Sequence, residues 1–225
     1  MDTFVYVSDA KVQMLHSQIP YAASHQLEAE VGANLGVLSA KLKTRQPDTS
    51  QASKIRLIEA YIEKNYGFGT CIEPKEWIRD DVMVKSISPV AFGGLFGLVG
   101  RSGNHYFLIG GSSRNVLGAA LSGQTAGIGL SYFPYMVEAL KQGFKEWEEE
   151  REVRRIWGER TDIEPERIAV GMARDEFASA VKGVVNATSG PEFGVRVVAR
   201  HLATEPLVYV EGQASLFTPL YVVFK

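Results

Sequence analysis

The sequence predicts an α+β fold: a mostly antiparallel sheet of five to six strands with helices packed on one face. Three observations carry that prediction. Strand-like runs sit at both termini. Three more sit mid-chain. The helical runs are grouped between them, where a parallel βαβ sheet would need strict alternation. The 225 residues contain no Pro/Gly/Ser-rich linker, which predicts a single domain over 1–225.

Residues 4–7, Phe-Val-Tyr-Val, form the first strand and run into Ser8-Asp9, a capping pair. A short helix over 10–16 follows and is stopped by Pro20. From 25 to 45, Leu27, Val31, Leu35, Leu38 and Leu42 recur at three- and four-residue spacing, the apolar stripe of a helix. Residues 46–51 are a loop. Thr49 or Ser50 caps the next helix, which reaches about residue 64 with Ile55, Ile58, Tyr61 and Ile62 facing inward. Tyr66-Gly-Phe-Gly69 ends it, and 70–81 reads as irregular or partly extended.

Strands are expected over 82–87, 92–99 and 105–109, with 100–104 as a hairpin loop of residues that accept positive φ. A helix over 113–121 follows Gly110-Gly111, residues 123–129 interrupt it, and Pro134 opens a long helix to 157. Opposite charges at three- and four-residue spacing over 145–155 mark a solvated helix face. Residues 162–165 are a loop, and 173–186 a helix with Phe177, Val181 and Val184 inside. The stretch 192–203 fits either a helix started by Pro191 or a strand, and the helix is preferred. Runs 207–210 and 220–224 are strands paired across 212–218, with the two terminal strands near each other.

Composition excludes several classes. A net charge of −2, from 24 basic and 26 acidic residues, leaves no excess to neutralise a duplex, so general nucleic-acid binding is not expected. The single cysteine, Cys71, forms no intrachain disulfide, which suits a reducing compartment. The start lacks a basic region and an apolar core, so no signal peptide is expected and the location reads as cytoplasmic. The uncharged stretch 86–100 is too short to span a bilayer, and 115–137 is diluted by Gln124, Thr125, Pro134 and glycines. No transmembrane segment is expected.

The local pattern with the clearest chemical consequence is Gly110-Gly-Ser-Ser-Arg114 after the strand 105–109. A strand, a Gly-Gly turn and a Ser cap at a helix start leave free N–H groups beside Arg114, a site for an anion. Gly111, Ser112 and Ser113 supply N–H or hydroxyl donors, and Arg114 supplies a guanidinium suited to phosphate or carboxylate. It is neither a Walker A loop nor a dinucleotide fingerprint. Trp77, inside the charged run 73–81, is a flat apolar wall for the same ligand. His105 opens the strand and is the best placed of His16, His25, His105 and His201 for acid–base work. The histidine spacings make no zinc site, and adjacent Asp80 and Asp81 make a poor cation dyad. Cys71 reads as a quiet, partly buried thiol.

Three phrases together resemble a bacterial, largely actinobacterial, protein family of unknown function and of about this length. They are Tyr6-Val-Ser-Asp-Ala-Lys-Val-Gln-Met-Leu15 with Gln18-Ile-Pro20, Gly111-Ser-Ser-Arg-Asn-Val-Leu-Gly118, and Thr218-Pro-Leu-Tyr-Val222. The resemblance covers nearly the whole chain. It implies a bacterial, cytoplasmic, single-domain protein, and no activity, cofactor or catalytic residue.

The leading functional expectation is a protein that binds or senses a small anionic ligand, a nucleotide or phosphorylated metabolite, at Gly111–Arg114. The alternatives are a hydrolase- or transferase-type enzyme in the same cleft, with Ser112 or Ser113 as nucleophile or His105 as base, and an interaction module that docks through 138–157. The apolar stretch 115–137 allows a homo-oligomer. No cofactor or metal is indicated.

Overall fold

The computed structural model describes residues 3–34, 50–87, 95–117, 177–207 and 210–225. Expectations for 35–49, 88–94, 118–176 and 208–209 lie outside the described residues. Among them are the long helix 134–157 and most of the uncharged stretch 115–137.

In chain order the elements are β1 (Thr3–Val7), α1 (Asp9–Gln18), α2 (Tyr21–Asn34), α3 (Gln51–Asn65), β2 (Trp77–Ser86), β3 (Leu95–Ser102), β4 (His105–Ser112), a 3₁₀ turn (Ser113–Asn115), α4 (Phe177–Ala187), β5 (Phe193–Pro206) and β6 (Gln213–Phe224). The fold is α+β, but the sheet is not the open, mostly antiparallel one expected. Its order is β1-β6-β4-β3-β2-β5, and β5 pairs again with β6. Five strands therefore close into a barrel, with β1 added to β6. The β4–β6 pair is parallel and the other strand pairs are antiparallel, so the sheet is mixed.

Alternation decides what fills the barrel. Phe96 and Leu98 of β3, Phe107 and Ile109 of β4, Val195, Val197 and Ala199 of β5, Phe217 and Val222 of β6, and Ile78 and Val84 of β2 form one buried cluster inside. The intervening residues face outward, and helices cover two sectors of that outer wall, a second departure from helices on one face. The group α1–α3 packs Val12, Leu27, Ile55, Ile58 and Ile62 against Val198, Leu220, Tyr221, Val223 and Trp77. Helix α4 packs Phe177, Val181 and Val185 against Val99, Leu108 and Leu216.

Three expected elements change identity. The hairpin expected between 207–210 and 220–224 is instead formed by β5 and β6, so residues 213–218, expected as its connection, are strand. The stretch preferred as a helix over 192–203 is the long strand β5. Its β-branched valines at 195 and 197 line the barrel, and both its edges are paired, to β2 and to β6. Tertiary pairing overrode a periodicity that fitted either state. The helix expected over 113–121 is, through residue 117, only a three-residue 3₁₀ turn, and Val116 then bridges to Tyr6. Strand β2 also starts earlier than expected, at Trp77. Ser50 caps α3 as expected, accepting from the Ser53 amide at 3.2 Å. The terminal strands pair directly, Thr3↔Phe224 to Val7↔Tyr221. Among the described residues no helix is long and apolar enough to cross a membrane.

Two glycines make room for rings inside the barrel. A Cβ on Gly100 would lie 2.3 Å from Cζ of Phe107, its ladder partner, and 2.7 Å from the Met83 carbonyl oxygen. A Cβ on Gly111 would lie 2.4 Å from the Tyr6 hydroxyl. Since the Met83 backbone cannot swing away, Gly100→Ala is expected to lower stability by about 1–3 kcal/mol in urea unfolding.

Helix α3 is tied to the barrel by the Tyr221 hydroxyl, which donates to Glu59 Oε1 at 2.8 Å. Burial raises the Glu59 carboxyl pKa, and the Tyr221 hydrogen bond and nearby Arg79, Arg196 and Arg56 offset part of that rise. The folded state thus holds the Glu59 proton more tightly than the unfolded chain. Stability from this group is greatest at acid pH and falls as pH rises through the window above 4.5. Glu59→Gln keeps an oxygen acceptor for Tyr221 and should remove that fall, as read from unfolding midpoints across pH.

Candidate functional site

The six residues singled out from sequence fall in three places. Gly111 is in the β3–β4 ladder opposite Phe96, and its inner side is covered by Tyr6. The Tyr6 ring stacks on Phe96 at 4.8 Å, and Asn115 Nδ2 donates to the Tyr6 hydroxyl at 3.1 Å. Ser112 Oγ accepts from the Arg114 amide at 3.4 Å, the Val116 amide donates to Ser113 O, and the Leu117 amide donates to Val5 O. Ser113 is half-buried and Arg114 exposed. Several amides expected to face a ligand are thus occupied by the turn and by β1.

His105 is at the other end of β4, opposite Ser102 and Gln213. At a rise of roughly 3.3 Å per residue, it lies about 23 Å along the strand from Ser112. Trp77 is buried beneath α1–α3 on the outer wall. The structure does not gather these residues into one cavity.

The Asp80-Asp81 pair also splits. Asp80 Oδ2 accepts from the Cys71 amide at 2.9 Å, whereas Asp81 pairs outward with Arg196 at 2.9 Å and with Lys225. Those two hydrogen bonds hold the Asp81 carboxyl below its usual range. Among the described residues no group of three or more His, Cys, Asp and Glu side chains is placed to hold a metal. Cys71 is buried, and burial together with the adjacent Asp80 carboxylate drives its thiol far above the ordinary range. A thiol so held is protonated and unreactive at neutral pH.

What the structure does gather lies around β6. The β4–β6 ladder ends at Ile109↔Phe217, and the β1–β6 ladder takes over at Val7↔Tyr221. Between them the chain carries Thr218, Pro219 and Leu220, and the Ser8 amide donates to Leu220 O at 2.9 Å. Helix α1 leaves β1 at this fork. Lys11, in its first turn, donates from Nζ to the Thr218 hydroxyl and, at 2.9 Å, to Pro219 O. Both acceptors are neutral. No carboxylate pairs with Lys11 among the described residues, and its third N–H finds no acceptor among them. Burial pushes the Lys11 ammonium down to about 7 from its ordinary 10.5. The cation is also at the positive end of the α1 macrodipole. Ser8 gives that helix no side-chain cap, so its first N–H groups are left to other acceptors.

Sequence reading overlooked Lys11 and Thr218 because neither belongs to a motif. One signal was present. The three phrases of the resemblance, 6–15, 111–118 and 218–222, meet here through Tyr6↔Val116, Val7↔Tyr221 and the Lys11–Thr218 contact.

No curated protein and no solved structure is a significant match to the chain. A family model described as a family of unknown function, DUF7019, matches residues 3–224, and the chain belongs to that family.

Proposed function

We propose that this protein binds a small anionic ligand, of the nucleotide or phosphorylated-metabolite class, at the fork between β1, β4 and β6. Lys11 supplies the charge, the Thr218 hydroxyl a hydrogen bond, and the uncapped start of α1 its N–H groups. Residues 110–112 continue β4 beyond its last pair with β6, Ile109↔Phe217, and lead into the turn that carries Arg114.

The observation that carries this reading is a half-buried ammonium whose two protein partners are neutral oxygens. An ammonium taken from water with no counter-charge is costly, and a bound anion offsets that cost where the fold does not. A helix start with no side-chain cap favours the same sign of ligand.

The test is thermal unfolding with and without millimolar inorganic phosphate or AMP. Wild type and Lys11→Arg are expected to gain several degrees, Lys11→Met none, and Arg114→Ala a smaller gain than wild type. No response from wild type, or equal responses from wild type and Lys11→Met, would reject the fork as the site.

A pH experiment without ligand checks the electrostatic premise separately. The folded pKa of Lys11 lies below its unfolded value, so the penalty for the charged form is full below about pH 7 and lifts as pH rises toward 10.5. Lys11→Met should therefore be more stable than wild type below pH 7, with the gap closing on the alkaline side.

A further inference from the structure

A second polar constellation lies on the inner wall of the barrel. His201 Nε2 is 2.8 Å from Thr204 Oγ1, which is 2.7 Å from Ser215 Oγ. Thr204 and Ser215 are ladder partners on β5 and β6. A bulge makes the chain possible. Odd-numbered residues of β5 line the barrel through Ala199, so strict alternation would send His201 inward and Thr204 outward. The register shift between His201 and Ala203 inserts Leu202 and brings Thr204 to the face His201 occupies. The imidazole rests against the Phe217 ring, with centroids 5.6 Å apart.

Exposure sorts the three groups. Ser215 is 1% exposed, whereas Thr204 and His201 are half-buried. A small molecule arriving from solvent meets the Thr204–His201 pair before it meets Ser215. The neighbouring wall is apolar, with Phe217 against His201 and Phe107 opposite Ser215. Among the described residues no cationic side chain joins the chain. A neutral carbonyl suits such a site better than a phosphoryl group, whose charge would need cations.

We propose that His201 and Thr204 form a base–nucleophile dyad that accepts an acyl group from a small ester. Thr204 Oγ1 attacks the carbonyl carbon, and His201 Nε2 takes the hydroxyl proton. The bond to the leaving oxygen then breaks, and His201 returns the proton to the departing alcohol. Water cleaves the acyl–Thr204 ester by the same route: His201 takes the water proton, the acid leaves, and the proton returns to Thr204. The net reaction is ester plus water to acid plus alcohol.

The base must be neutral, with Nε2 free to accept. Burial lowers the His201 pKa, and a hydrogen bond with the Ala203 backbone offsets part of that shift. The ring is therefore unprotonated at neutral pH. The reaction needs the tautomer with the hydrogen on Nδ1, which leaves Nε2 to accept from Thr204. This inference does not depend on the anion site, because it shares no residue with Lys11 or Thr218.

The experiment is p-nitrophenyl acetate hydrolysis by the full chain at neutral pH, followed by quench and peptide mass mapping. A burst of nitrophenol with the acetyl group on Thr204 is expected. Thr204→Ser should retain acetylation and Thr204→Val should lose it. His201→Gln should slow the burst by about a hundredfold or more. The wild-type rate should rise with pH through a midpoint below 6.5, the ordinary histidine value. Melting curves establish that each variant is folded, and Thr204→Ser, which keeps the hydroxyl, remains decisive if Thr204→Val unfolds. No burst, acetyl found only on Ser215 or on lysines, or a rate indifferent to His201→Gln in a folded variant would overturn the proposal.

Discussion

β6 has two edges and three partners. Strand β5 takes one edge along its whole length, from Val195↔Phe224 to Pro206↔Gln213. The other edge is shared: β4 holds it as far as Phe217, and β1 holds it from Tyr221. A strand of 12 residues is long enough to serve both in turn. Pro219 falls in the interval between them, where β6 itself is bulged, Leu220 being the extra residue between the pairs Val198↔Tyr221 and Ala199↔Pro219. A residue with no N–H to give is tolerated where the strand changes partner, and would break a ladder elsewhere.

Barrel closure follows from that sharing, and closure creates one inside and a continuous outside. The inside is a filled core, where Phe107 occupies the space left by Gly100 and Tyr6 that left by Gly111. The outside needs cover wherever it is apolar, which is why α1–α3 and α4 stand on separate sectors. On β2 and β5 the uncovered outer positions include, beside the exposed Met83, charged residues. They pair across the ladder, as Asp81 with Arg196, or beside it, as Glu76 with Arg200. Exposed pairs of this kind contribute little stability each, and they keep a paired surface soluble.

The handover on β6 also produces the fork. Where β4 leaves and β1 arrives, the Pro219 carbonyl takes a hydrogen bond from Lys11, and the Leu220 carbonyl takes one from the Ser8 amide. The other polar chain likewise needs an irregularity, since the Leu202 bulge brings His201 and Thr204 to one face. Each candidate site thus sits where regular pairing is interrupted. There polar groups escape the ladder, and side chains far apart in sequence come within bonding distance.

The sequence by itself determined what local physics governs. The terminal strands, the hairpin at Gly103, the Ser50 cap and the helix over Phe177–Ala187 were all legible from propensity, turn chemistry and periodicity. Gly110-Gly111, expected as a turn after the strand, instead continue β4 opposite Gly97 and Phe96, and the chain turns only at Ser113–Asn115. Only the tertiary structure decided that β5 is a strand, because Val195, Val198 and Leu202 satisfy a helical stripe as readily as an alternating one until β2 and β6 claim both edges. It alone decided that the turn continues into a bridge with β1, and that Lys11 meets Thr218 across more than two hundred residues. Such contacts depend on which edges are left to pair once the barrel closes, and no window of neighbouring residues contains that information.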